Sequence, residues 1–472
     1  MVLTRTSKGQ AIVQTQRAGN LFGDVKMIRL PILIVQLFIL TSMAHAGEFR
    51  AAARKVDITP TGSEPLWGFG DRTGPATGML DPLFAKIVVF EGDSSRLELV
   101  TFDLGRTFNT AGMETVRQRV ADSSDVADVI FCASHTHSGP VISDSYGDNG
   151  RPDWETNAIN RISEAIEDAC ARLVSARIGV GYGETFIGHN RRKIEPDGSV
   201  TMLWRNAAKS PTSPVDPRVG VIRVDDEDDN TIAVLVNYAC HPVVLGPDNL
   251  EYSADFPGAM ASVVESELGG NTICLFLQGA AGDINPFYDK MALAEDGVKL
   301  MQETGTQLGN EVVRVAKSVN TEVPAHPHLR HKRDTITFQS RWNVEKVLGM
   351  LKQRMKPDVY DRYRDYLTSP LDCDVTSLII NDDIAMMGMP GEPFTEFATA
   401  YRARSPVRHS FFLGYTNGYH GYFPTIRAAV SGGYGADTIV ARAEVGAGER
   451  MLDRAIIQHH ELLRQLEPVP SD

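Results

Sequence analysis

Five apolar runs in this chain each stop at a cluster of histidine, glycine, proline or acidic residues. That pattern restricts the fold to one whose strands end at polar loops able to share a site. The sharpest case is Val129-Ile-Phe-Cys-Ala-Ser-His135-Thr-His137-Ser-Gly-Pro140, a buried-strand pattern running straight into two histidines. Side chains at i and i+2 of a strand share a face, so an extended continuation turns both imidazoles toward one point past the strand end. That point is a candidate metal site, although histidine serves structure as readily as metal. The chain holds its own comparison in His326-Pro-His328, which has the same spacing. Prolines precede and divide that pair, and Arg330, Lys332 and Arg333 follow it, so the segment reads as solvated loop whose charge repels a cation.

The other four runs end in the same manner. Residues 232–238 lead to Ala239-Cys240-His241-Pro242, and residues 273–277 to Gln278-Gly-Ala-Ala-Gly282-Asp283-Ile-Asn285-Pro286. Residues 384–389 lead to Pro390-Gly391-Glu392-Pro393, and 411–413 to Gly414-Tyr-Thr-Asn417-Gly-Tyr419-His420-Gly-Tyr422. Glycine and proline at such places set tight turns and allow close backbone approach. Nitrogen and oxygen ligands from His135, His241 and Glu392 would suit a catalytic zinc, which keeps one position for water or substrate. A strand-capping histidine and an acidic turn residue are the plainer readings of the same positions.

Between these runs the period alternates. Strand patterns at 87–90, 97–102, 129–132 and 221–224 are interleaved with helical ones at 111–120 and 157–173. A further helix starts near Pro257 behind Asp255 and stops at Gly269-Gly270, and a last one spans about 443–466. This rhythm predicts an α/β fold. Residues 47–472 contain no repeat or long linker and read as one large domain. Neither a G-x-S-x-G elbow nor a G-x-x-x-x-G-K-[ST] loop occurs, which removes the mechanical parts of serine-hydrolase and nucleotide-binding chemistry. Asp103, Asp255 and Asp283 could supply oxygen ligands to a two-metal phosphatase, but each reads better as a helix or turn cap.

Residues 27–46 have a basic start, an apolar run from Pro31 to Leu40 and Ala44-His-Ala46, the outline of a secretory leader. Residues 1–26 would then be an upstream extension or a misplaced start. The apolar run is shorter than the roughly 20 residues of a spanning helix, so no membrane anchor is expected after cleavage. Losing residues 1–46 removes five basic residues and one acidic one, which takes the formal charge from −13 to −17. A chain this acidic is not expected to bind nucleic acid or anionic lipid surfaces electrostatically. Five scattered cysteines read as small buried core residues, not a disulfide framework.

Taken together, His135-Thr-His-Ser-Gly-Pro140, His241-Pro242, Gly282-Asp283-x-x-Pro286, Pro390-Gly-Glu392 and Asn417-x-Tyr419-x-x-Tyr422 resemble the neutral, non-lysosomal ceramidases in order and spacing. Val56-Asp-Ile-Thr-Pro60 and Asn190-Arg191 extend the resemblance over almost all of residues 47–472. It implies a catalytic domain of mixed β-sheets flanked by helices and a hydrolase that cleaves the amide bond of N-acylsphingosine or a related N-acyl lipid, which the leader pattern makes secreted or periplasmic. It further implies one zinc ion held by His135, His241, Glu392 and Tyr422, with His137 moving protons and Arg191 and Tyr434 contacting the scissile group. Asn285 stands where the family carries a serine sometimes cast as a nucleophile. An amide cannot form an acyl-enzyme in the usual way, whereas a zinc-activated water needs no serine. Asn285 is therefore expected to donate an N–H to the reacting oxygen or to orient the substrate. The chain also stops soon after its last helix, without the immunoglobulin-like C-terminal domain of the ceramidases. Both departures keep another amide, an ester, or a non-catalytic lipid- or glycan-binding protein as alternatives. The sequence leaves open a second ion, calcium or magnesium, and the oligomeric state.

Overall fold

The structure, a computed structural model, describes residues 48–466 apart from 94, 125, 147–149 and 356; the leader expected at 1–46 lies outside the described residues. Eight strands form the larger sheet: β1 (Arg50–Asp57), β2 (Phe84–Gly92), β3 (Ser95–Phe102), β4 (Asp128–Ala133), β5 (Val174–Glu184), β6 (Arg218–Asp226), β7 (Thr231–Tyr238) and β8 (Ile273–Gln278). Their spatial order is β8-β7-β6-β5-β1-β2-β3-β4. Pairing is antiparallel in the middle, while β3 with β4 and β7 with β8 are parallel. A parallel pair needs a crossover, and helices α1 (Thr110–Ser124) and α3 (Phe256–Leu268) supply the two, with α2 (Asp153–Ala171) and α4 (Gly297–Ser318) beside them. The sheet curls far enough to bring its edge strands β8 and β4 into contact.

A second sheet repeats the plan with β9 (Leu329–Thr337), β10 (Asp372–Ile380), β11 (Ile384–Gly388) and β12 (His409–Leu413) in that order. Here β11 and β12 are the parallel pair, joined through α5 (Glu396–Arg404). The two sheets pack face to face over Val88, Phe90, Ile130 and Leu235 from the first and Leu378, Ile380, Met386 and Phe411 from the second. The other face of the larger sheet is covered by α1 to α4. The outer face of the second is covered by α5 and by α6 (Ala447–Leu462). Burial on both faces is why these strands read as continuous apolar runs.

The expected α/β architecture is present, and three differences have plain causes. The last helix begins at Ala447 instead of 443, because Gly446 takes φ 93° and Ala443 bridges to Ser340 in extended backbone. Central strand β5 escaped detection because Gly179, Gly181 and Gly183 replace the apolar alternation. A Cβ on any of them would lie within 2.7 Å of Val315, Val319 or the backbone of Asn320, so helix α4 and the residues just past it sit directly on the strand. The basic segment expected as solvated loop is edge strand β9, whose Arg330, Lys332 and Arg333 pair with Asp382, Glu461 and Glu114. His326 and His328 do precede it in a loop, and His328 pairs with Asp382 at 2.9 Å. The five cysteines are free, four of them buried. No helix among the described residues is long and apolar enough to cross a membrane.

Candidate metal centre

The parallel pairs β3–β4, β7–β8 and β11–β12 deliver loops to one place. Just past β4, His135 adopts a left-handed backbone with φ 70°, so strand alternation does not continue through the motif. Its Nδ1 lies 2.6 Å from the Gly105 carbonyl beyond β3. Past β7, the Nδ1 of His241 lies 2.7 Å from the Ala281 carbonyl and 3.1 Å from that of Ile284, both beyond β8. A carbonyl only accepts, so both rings carry their proton on Nδ1 and turn a lone pair outward on Nε2. The two Nε2 atoms face Glu392 Oε2 at 3.5 Å for His135 and 2.9 Å for His241. Glu392 follows β11, and the three ligand atoms lie within 4.8 Å of one another, all buried.

The charge states follow from the surroundings. Burial draws His241 down to about 4 despite the neighbouring carboxylate, so its ring is neutral at pH 7. Burial alone would raise the Glu392 carboxyl, but positive charge and N–H donation from the His135 and His241 side outweigh it and hold it well below the usual range; with neutral rings, a bound cation would supply that charge. Two imidazole lone pairs and a carboxylate facing each other in a dry site are stabilised by a shared cation. Two nitrogens and one oxygen are also the donor set that suits catalytic zinc. Tyr419 donates to Glu392 Oε1 at 2.5 Å, and Tyr415 reaches Oε2 at 3.5 Å.

Backbone stitching fixes these loops. The Gln278 side-chain amide donates to the carbonyls of Ser134 at 2.9 Å and Cys240 at 2.8 Å, tying the end of β8 to both histidine loops. Gly282 donates to the Pro393 carbonyl at 2.8 Å. A Cβ there would sit 2.4 Å from the Glu392 carbonyl oxygen, so only glycine admits this approach. Asp283 accepts from the Thr395 amide and the Asn190 side chain, which leaves it structural. Asp255 caps α3, and Asp103 pairs with Lys86. Among the described residues the His135, His241 and Glu392 group is the one cluster of its kind.

The remaining expected residues surround it. His137 brings Nε2 to 3.3 Å from His135 Nε2; burial, with the His135 and His241 rings beside it, holds it well below the usual histidine range. Tyr422 pairs with Glu392 in a short parallel ladder and stacks on His241 with ring centroids 6.4 Å apart. Arg191 is buried, donating to Asn285 Oδ1 at 3.0 Å and to the Gly282 carbonyl at 2.7 Å. Its guanidinium lies over the rings of Trp204, Tyr422 and Tyr434 at 5.3, 5.4 and 5.2 Å. Burial opposes its charge, but the Tyr422 and Tyr434 phenols and Glu392 hold it above the usual arginine range. Asn285 gives its N–H to Asp289 at 2.9 Å, so both ends of its amide are engaged within the protein. His135, His137, Glu392, Tyr422 and Tyr434 line one cavity of about 310 Å³, walled by Trp67 and Phe69. Sequence reasoning passed over Tyr419, Gly105, Gln278, Arg106 and Trp204. Of these, Gln278 and Tyr419 stand in the polar clusters at strand ends, and the other three lie outside them.

Against known proteins, a family described as neutral/alkaline non-lysosomal ceramidase, N-terminal, matches residues 49–307. Among solved structures, the neutral ceramidase from Pseudomonas aeruginosa superposes with a TM-score of 0.69 at 18% identity, covering 90% of this chain and 77% of that one. A ceramidase complexed with C2 matches with the same figures. The fold is therefore shared with these structures.

Proposed function

This chain belongs to the neutral/alkaline non-lysosomal ceramidase family, and from that premise we propose that it hydrolyses the amide bond of ceramide or a related N-acyl lipid with one zinc ion held by His135, His241, Glu392 and Tyr422. The observation that carries the reading is the convergence of two Nε2 lone pairs on a buried carboxylate, each ring locked by a carbonyl on its far side. Zinc bound there supplies Lewis acidity to the amide carbonyl and to a water. His137, whose Nε2 lies 3.3 Å from that of His135, takes a proton from the water and returns it to the leaving amine.

Arg191 is held by Asn285, Gly282 and three aromatic rings while its Nε has no protein partner, so that N–H meets the charge developing on the carbonyl oxygen. Tyr434 packs against Tyr422 and helps fix Arg191. Asn285, with both ends engaged, acts through Arg191 instead of donating its N–H to the reacting oxygen. The leader-like segment at 27–46 supports an exported or periplasmic enzyme.

Metal analysis of purified protein, joined to fatty-acid release from ceramide beside a panel of acyl esters and other amides, tests this. One zinc per chain and chelator-sensitive release from ceramide are expected. Turnover confined to the esters would move the reading to another acyl substrate. Ligand protection against unfolding without any turnover would make the protein a lipid binder.

A further inference from the structure

A second buried guanidinium, that of Arg106, lies in the loop just past β3. It is 95% buried yet lines the same cavity as the metal-facing residues. Its neighbour Gly105 holds His135 through the backbone carbonyl, so the one loop serves both the metal ligand and the cavity wall. Arg106 donates from Nη2 to Asp144 Oδ1 at 2.5 Å, and its Nε has no partner. The guanidinium lies 5.3 Å above the ring of Tyr419, whose hydroxyl holds Glu392. Asp144 also lines the cavity, and Oδ1 carries its bond to Arg106. Burial works against its charge, but Arg106 outweighs burial and keeps it ionised.

An arginine tied to a carboxylate is nearly neutral as a pair, so it does not attract a free anion strongly. What it offers is a fixed donor beside a fixed acceptor, which matches a group able to accept from one and donate to the other. A hydroxyl is that group. Resting on the amide-hydrolase reading above, the geometry points to the Arg106 and Asp144 pair as a subsite that reads a hydroxyl of the substrate adjacent to the scissile amide. The hydroxyl can come from the amine fragment or from carbon 2 of the acyl chain. A substrate lacking it leaves the buried guanidinium incompletely satisfied, a penalty the matched substrate avoids.

Four amides of equal acyl length test this: one hydroxylated on the amine side, one without hydroxyls, one hydroxylated only at acyl carbon 2, and one bearing a carboxylate on the amine side. Wild type is expected to prefer one of the two hydroxylated amides over the hydroxyl-free one by about 10- to 100-fold in kcat/KM, which also identifies the source of the hydroxyl. In Arg106→Met and Asp144→Asn that ratio should fall close to one. A wild-type ratio near one, preference for the carboxylate, or an unchanged ratio in folded variants would overturn the subsite. Should both variants fail to fold, the wild-type ratio still decides. Calorimetric binding of the hydroxylated and hydroxyl-free amines and acids to wild type separates this from failure of the hydrolase reading: the same preference without turnover keeps the subsite and removes the reaction, while equal binding removes the subsite.

Discussion

Gly282→Ala is the smallest change that should reach the metal centre without touching a ligand. The added methyl carbon would stand 2.4 Å from the Glu392 carbonyl oxygen and 2.8 Å from that of Pro393. Both obstacles are backbone, so no side chain can swing aside. Restoring a carbon–oxygen approach of about 3.3 Å requires the Glu392 segment to retreat by roughly 0.9 Å. The same glycine donates to Pro393 and accepts from Arg191, so the retreat strains both contacts. Forced overpacking of this kind costs about 1–3 kcal/mol of stability, and displacing a ligand's support lowers metal affinity by about 10- to 100-fold. Gly349→Ala, on the exposed face of the helix Val344–Lys352 with nothing within 4 Å of its new carbon, is the matched control. It should gain about 0.5–1 kcal/mol. Urea unfolding and zinc titration against a competing chelator measure both quantities. Wild-type zinc affinity and stability in Gly282→Ala would refute the argument that this crossing positions Glu392.

Replacing His241 by alanine removes one of three converging donors and should abolish tight zinc binding; stoichiometric zinc with full activity in that variant sinks the ligand assignment. Arg191→Lys keeps the charge but loses the planar fork that meets Asn285 and Gly282. Its kcat should drop by about 100- to 1,000-fold with zinc content unchanged, and a drop below threefold would remove Arg191 from the reaction. Burial raises the Asp255 carboxyl to about 7, against about 3.9 in the unfolded chain. The folded chain therefore keeps an extra proton between those values, and this contribution to stability, complete below about pH 4, is lost as pH climbs through 7. Asp255→Asn retains a capping side chain, so wild-type stability relative to the variant should fall by roughly 3 kcal/mol between about pH 5 and pH 8; a flat difference would show that Asp255 titrates normally.

How much of this was legible in the sequence depended on where each residue's partners lie. β4, β7, β8, β11 and β12 were readable because both faces are buried, which leaves an apolar run with a sharp end. β5 was not, since the close seat of helix α4 replaces its side chains with glycine, and β9 was not, since ion pairs instead of apolar contacts cover its polar residues. His135, His241 and Glu392 could be proposed because each follows a readable strand. Strand alternation does not bring His135 and His137 together: the backbone turns left-handed at His135, and the two rings meet by that turn, with centroids 4.9 Å apart.

What could not be read is the convergence itself. The three ligands follow three different parallel pairs, and a parallel pair sends its loops only to its own end of a sheet. They share a site because the larger sheet curls until β8 touches β4, and because the second sheet packs so that the ends of β11 and β12 arrive at the same rim. Gln278 records that geometry in a single side chain, bonding two loops more than a hundred residues apart. No local pattern marks such a residue: glutamine at a strand end is unremarkable until the sheet closes. The same holds for Arg106, whose partner Asp144 comes off the neighbouring strand end. Residues that hold a metal can be inferred from chemistry at strand ends. Residues that choose its substrate depend on which ends become neighbours, and that is decided by curvature.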